Sequence, residues 1–240
     1  MYFCKLICIY KKLGISKPPM TTITIQGKPF SYEDELTTLT RATITPITQE
    51  EGKLILETTK TLFDEIGLEF CLAYGTLLGA VREGGIIPGD EDVDIYIKDE
   101  EKLFNKLPWL YDRGLKLIRM VKGGLYSFRI NDRCYIDAYV LKPVRFSVWT
   151  LYCYSLNKHV QPKRFFDEQE EIDFLGQRYL CPKHPETLLE WWYGPDWRTP
   201  KQSKKGHYDV TTYKKWSKFR LKILKIGEFC LGYKYWRKSK

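Results

Sequence analysis

YGTLLGAVREGGIIPGDEDVDIYI, residues 74–97, decides how this chain is read. Its second half sets Asp90, Asp92 and Asp94 at alternate positions, and Ile95-Tyr96-Ile97 continues them as an apolar strand. Side chains on a strand alternate between faces, so Asp92 and Asp94 point the same way. Two carboxylates on one face repel each other, and a fold tolerates the pair where a hard cation sits between them. An all-oxygen site of this kind suits Mg²⁺ or Mn²⁺. The first half holds a small-residue turn, Gly75-Thr76, before a short helix expected from Leu77 to Arg82. A turn at a helix N-terminus offers free backbone N–H groups to an anion. The stretch therefore points to metal-assisted phosphate chemistry.

Outward from it, the pattern alternates helix and strand. Thr48 with Glu51 makes a capping box, Leu54, Ile55, Thr58, Leu62 and Ile66 follow at helical spacing, and Gly67 is placed to end that helix. A strand is expected over Leu68–Ala73, and Asp99 caps a second long helix, Glu100 to Tyr111. Three strand-like runs follow, Leu115–Val121, Leu125–Ile130 and Cys134–Leu141. Arg145 to Leu156 reads as helix or strand, Glu170 to Leu180 as a hairpin turning at Gly176, and Pro185 to Trp192 as a short helix. Residues 1–47 read as irregular, with strand character only in Met20–Gln26.

At 240 residues the chain is one domain, or one domain with appendages. Seven cysteines without CxxC spacing suit a reduced setting, and zinc is not expected. The net charge is +9, and the segment Val210–Lys240 alone holds ten basic residues and one acid. Residues 1–209 are thus formally neutral, which speaks against a nucleic-acid groove across the body. No run reaches the ~20 apolar residues that span a bilayer. The tail interleaves its bases with Trp216, Phe219, Leu221 and Ile223, so it suits either a helix on an anionic membrane or a docked helix with a basic solvent face.

CYIDAYVL, residues 134–141, carries a lone acid, Asp137, in an apolar run. A buried lone acid is costly unless paired or bound to metal. The alternative is a solvent-facing position on an edge strand. Arg82 closes the short helix after Gly75-Thr76 and is the candidate cation for a phosphate. Two acids on one strand, a third on a neighbour and a glycine turn behind them form a nucleotidyltransferase arrangement, in which cations bridge donor phosphates.

GTLLGAVREGGIIPGDEDVDI resembles the signature of the LicD/fukutin family, where a GTLLGxxR segment precedes an aspartate-rich run. CYIDAYVL resembles the family's later acid-bearing strand, and Tyr193, Gly194, Trp197 and Pro200 resemble its closing element. The resemblance covers about Thr48 to Pro200. Gly89 and Glu91 depart from it, and Gly89 was expected to widen the pocket mouth and unsettle the donor's identity.

The resemblance implies an α/β fold: a nucleotidyltransferase-like mixed sheet flanked by helices over 48–209, after an N-terminal segment 1–47 and before a basic, helical tail 210–240. It implies transfer of a phospho-alcohol, phosphocholine first, from a CDP-linked donor to a sugar hydroxyl of a surface glycan or its lipid-linked precursor. Asp92, Asp94 and Asp137 would hold Mg²⁺ or Mn²⁺, with Asp137 completing the metal site or serving as base. Gly75, Thr76 and Arg82 would hold donor phosphate, with Asp90 behind them. The expected location is cytoplasmic, at the membrane's cytoplasmic face if the tail binds there, with no nucleic acid as partner. A nucleotidyltransferase using an NTP, or a non-catalytic binding relative, are the alternatives.

Overall fold

A computed structural model describes residues 19–35, 46–121, 124–131, 134–143, 153–156 and 159–200. The basic tail at 210–240 lies outside the described residues, as does all of 144–152. The chain divides into two compact units, Met1–Pro185 and Glu186–Lys240.

The first unit opens with a hairpin inside the segment expected to be irregular. Strands β1 (Met20–Ile25) and β2 (Lys28–Glu33) pair antiparallel. The turn is Gln26-Gly27, with φ of 48° and 78°. Two successive positive φ values are those of the type I′ turn that matches strand twist. Pro29, a residue that usually interrupts a strand, sits just past the turn on a two-stranded ribbon, where a missing N–H is tolerated. The hairpin lies against β5 (Lys116–Val121). Glu35 donates its N–H to the Ile118 carbonyl at 2.9 Å, and its carboxylate pairs with Arg129 at 2.5 Å.

Helix α1 (Gln49–Glu65) begins at the expected capping box: Thr48 Oγ accepts from the Glu51 N–H, and the Glu51 carboxylate accepts from the Thr48 N–H. It buries Ile55, Leu56, Leu62 and Phe63 and packs on the sheet at β4 and β7. Next come β3 (Phe70–Leu72), α2 (Tyr74–Arg82), β4 (Val93–Ile97) and α3 (Glu100–Asp112). Asp99 caps α3 by accepting from the Lys102 N–H at 2.9 Å.

Strands β6 (Leu125–Arg129), β7 (Tyr135–Val140), β8 (Lys142–Pro143), β9 (Cys153–Leu156), β10 (His159–Pro162), β11 (Gln169–Phe174) and β12 (Gln177–Pro182) complete the unit. Seven of the strands form one mixed sheet in the order β11-β12-β3-β4-β7-β6-β5. Pairings β12–β3 and β4–β7 are parallel, and the other pairings within it are antiparallel. Strands β10, β9 and β8 form a smaller sheet. The β11–β12 hairpin turns at Leu175-Gly176, as Gly176 suggested. All five residues of β4 are buried, which explains the apolar Val93, Ile95 and Ile97 around Asp94. In the second unit, α4 (Pro185–Tyr193) ends where Gly194 takes a φ of 96° and donates its N–H to the Glu190 carbonyl.

Candidate active site

The sheet aligns four polar side chains in one row across four neighbouring strands. Asp94 on β4 is the register partner of Asp137 on β7, Asp137 of Ser127 on β6, and Ser127 of Arg119 on β5. Direct register partners share a face, so all four point the same way. Strand β7 is interior, so the edge-strand alternative for Asp137 does not hold. Asp137 is 3% exposed and Ser127 fully buried.

Asp92, two residues before Asp94, joins the same face. Asp92, Asp94 and Asp137 each offer a carboxylate oxygen, and these lie within 4.8 Å of one another. Burial pushes the Asp92 carboxyl up to about 8, helped by repulsion from Asp137 and Asp90. Burial and then the charge of Asp92 push Asp94 well above the usual carboxylate range. The metal-free cluster therefore holds protons that a cation would displace. An all-oxygen set of three clustered acids fits a divalent hard cation.

Two braces hold the acids in place. On one side, Gly75 donates its N–H to Asp94 Oδ2 at 3.2 Å, and Asp94 donates its own N–H to Thr76 Oγ at 2.8 Å. Both residues were expected in a turn before a helix starting at Leu77. The helix instead starts at Tyr74, whose φ of 39° makes the sharp exit from β3. A non-glycine residue in this left-handed region is a strained one, of the kind that clusters at functional sites. Gly75 and Thr76 thus spend these groups on Asp94. Gly75 also leaves room for the Asp90 carboxylate: a Cβ there would stand 2.7 Å from Asp90 Oδ2.

On the other side, Ser127 donates to Asp137 Oδ1 at 2.5 Å and Arg119 Nη2 to Asp137 Oδ2 at 2.7 Å. Arg119 Nε also donates to Ser127 Oγ at 3.0 Å, and the Tyr139 hydroxyl lies 3.4 Å from Asp137 Oδ2. Tyr135 hydrogen-bonds the Asp92 side chain.

Arg82 sits at the far end of α2, about 10 Å along the axis from Gly75 at the rise of an α-helix. Its side chain is 7% exposed and its Nε pairs with Glu83 at 2.7 Å. Gly89 takes a φ of 90°, and Asp90 donates its N–H to the Ile87 carbonyl at 3.0 Å. Pro88 and Gly89 are the central pair of that turn, the residues a type II turn demands. Gly89 is therefore explained by the backbone conformation it permits, and this turn delivers Asp90 to the cluster.

Residues 67–184 match the family described as LicD/FKTN/FKRP, nucleotidyltransferase domain. The matched segment contains the acid-bearing strands β4 and β7 and all of their partners in the row. This segment is a LicD/fukutin-family domain. The match is narrower than the resemblance read from the sequence, stopping before the Tyr193–Pro200 element. No curated protein matches the chain significantly. Among solved structures, the lincomycin-bound lincosamide antibiotic adenylyltransferase LnuA is similar with a TM-score of 0.44 and 16% identity, over 70% of this chain and 97% of that one. The solution structure of the antibiotic-resistance factor ANT(2″)-Ia is similar at 0.44 and 13%, over 70% and 83%. The crystal structure of ANT(2″)-Ia with adenylyl-2″-tobramycin is similar at 0.44 and 14%, over 68% and 85%.

The chain carrying the LicD-family domain is a transferase with a nucleotidyltransferase fold. The sequence showed its three clustered acids, with Gly75 and Thr76 beside them, and not Ser127 and Arg119, which orient Asp137. Arg119 was hidden by a break in register. Leu117 faces Phe128 and Arg119 faces Ser127, so Ile118 is an extra residue in β5. Without that bulge the apolar Ile118 would face Ser127. Ser127, a small hydroxyl between Tyr126 and Phe128, was the available signal. Among the described residues, no helix is long and apolar enough to cross a membrane.

Proposed function

We propose that the protein is a metal-dependent transferase that moves a phospho-alcohol, phosphocholine first among the candidates, from a CDP-linked donor to a sugar hydroxyl of a glycan or lipid-linked glycan. The observation that carries the reading is the convergence of Asp92, Asp94 and Asp137 within 4.8 Å inside the family-matched segment. Asp92, Asp94 and Asp137 would hold Mg²⁺ or Mn²⁺. When bound, the cation neutralises the donor phosphates and stabilises charge on the oxygens that attack and leave.

The chain's own residues do the rest. Gly75 and Thr76 fix Asp94, while Ser127 and Arg119 fix Asp137. With both its oxygens accepting hydrogen bonds, the Asp137 carboxylate is fixed where it meets Asp92 and Asp94. The acceptor hydroxyl oxygen bonds to the phosphorus that carries the alcohol. The bond from that phosphorus to the bridging oxygen breaks, CMP leaves, and the hydroxyl's proton passes to solvent. Asp90 stands beside Gly75 and adds negative charge at the donor end.

The test is a donor screen. The protein is incubated with CDP-choline, CDP-ribitol, CDP-glycerol or NTPs, with and without Mg²⁺. Metal-dependent release of CMP from one CDP-alcohol supports the reading. Release of pyrophosphate from an NTP, with all CDP-alcohols left intact, overturns it in favour of nucleotidyl transfer.

A further inference from the structure

We propose that Arg119 is the side chain that contacts the donor's phosphate, the part assigned from sequence to Arg82. The inference rests on the function proposed above and names a residue of that same site.

Arg119 stands in the same face and row as the acids, next to Asp137. Its Nε and Nη2 are committed to Ser127 and Asp137, and its Nη1 makes no hydrogen bond to the described residues. The side chain is 28% exposed, whereas Asp137 beside it is 5% exposed. A guanidinium is always charged and offers its N–H groups as a planar fork that suits phosphate oxygens. Two of its donors fix the plane here, so the remaining edge is held ready.

The placement has an electrostatic cost unless an anion joins the site. A fixed positive charge 2.7 Å from a would-be metal ligand repels the cation that ligand is to hold. A bound diphosphate removes the conflict by lying against both positive charges. The backbone is also built for this residue. The β5 bulge at Ile118 puts Arg119, in place of an isoleucine, opposite Ser127. Bulges recur next to active sites because they re-aim a side chain in this way.

Arg119 also braces Asp137, so the test separates bracing from phosphate contact. Mn²⁺ binding is measured alone, by electron paramagnetic resonance, for the wild type, Arg119→Gln, Arg119→Lys and Ser127→Ala. CDP and cytidine binding are then measured at saturating Mn²⁺. Arg119→Gln is expected to keep Mn²⁺ affinity within about 3-fold, to weaken CDP at least about 10-fold, and to leave cytidine unchanged. Arg119→Lys is expected to recover part of the CDP affinity. Unchanged CDP affinity in Arg119→Gln overturns the proposal. So does a parallel loss of Mn²⁺ and CDP matching that of Ser127→Ala, which would make Arg119 a positioning residue. A wild-type protein that binds neither Mn²⁺ nor CDP overturns the function beneath the proposal, and the proposal with it.

Discussion

Asp94 and Asp137 are direct partners across the parallel β4–β7 pair, and no positive side chain stands between them in the row. Like charges placed directly opposite destabilise a sheet. At alkaline pH, where the metal-free cluster gives up its protons, Asp94→Asn should therefore raise the Tm of the metal-free protein, while lowering turnover at least about 100-fold, more than the loss of an outer partner of a metal ligand costs. Thermal melts with EDTA and an activity assay on one preparation check both signs.

Stability should also depend on pH in a definite direction. The Asp92 carboxyl moves from an ordinary 3.8 up to about 8 on folding. Between those values the folded protein binds a proton that the unfolded chain has given up, so metal-free stability falls as pH rises. Each kcal/mol lost shifts Tm by roughly 2–4 °C in a chain of this size. The Mg²⁺-induced rise in Tm should accordingly be small at pH 5 and largest near pH 8. Differential scanning calorimetry with and without Mg²⁺ reads it, and a rise that shrinks with pH would contradict the electrostatics described.

Gly79 is packed without slack. A Cβ there would lie 2.5 Å from the Gly85 carbonyl oxygen and 3.3 Å from the Ile87 side chain. Gly79→Ala is expected to cost about 1–3 kcal/mol by overpacking and to displace the loop that carries Asp90. Urea unfolding measures the cost. Gly84→Ala, at a position with open space around it, should cost less by packing and only through its positive φ.

The N-terminal hairpin should behave as part of the catalytic unit. Glu35 and Arg129 form an ion pair with side chains 9% and 18% exposed, and the Glu35 N–H ties the hairpin to the bulge residue Ile118. Glu35→Ala is expected to cost about 3 kcal/mol, because it leaves a largely buried arginine short of its partner. Denaturant titration of that variant checks the value.

Sequence pattern reached the fold's centre well and its flanks less well. Alternation alone put Asp92 and Asp94 on one face, and the cost of burying Asp137 in an apolar run placed it with them. Both are short-range statements about a strand. Arg119 depends on a one-residue slip in β5, and register is a property of two strands together. The helix boundary at Gly75-Thr76 differs from the expected one because Tyr74 accepts a positive φ, which lets the helix begin earlier and turns those groups toward Asp94. The β1–β2 hairpin was obscured by Pro29, which marks a break only when its position relative to the turn is unknown.

The central claim is that Asp92, Asp94 and Asp137 together hold a divalent cation. Mn²⁺ titration of the wild type and of Asp92→Asn, Asp94→Asn and Asp137→Asn tests it most directly, with circular dichroism showing that each variant is folded. The account predicts saturable binding by the wild type and a loss of at least about 10-fold in affinity in every variant. Equal Mn²⁺ affinity in the wild type and the three folded variants would contradict it.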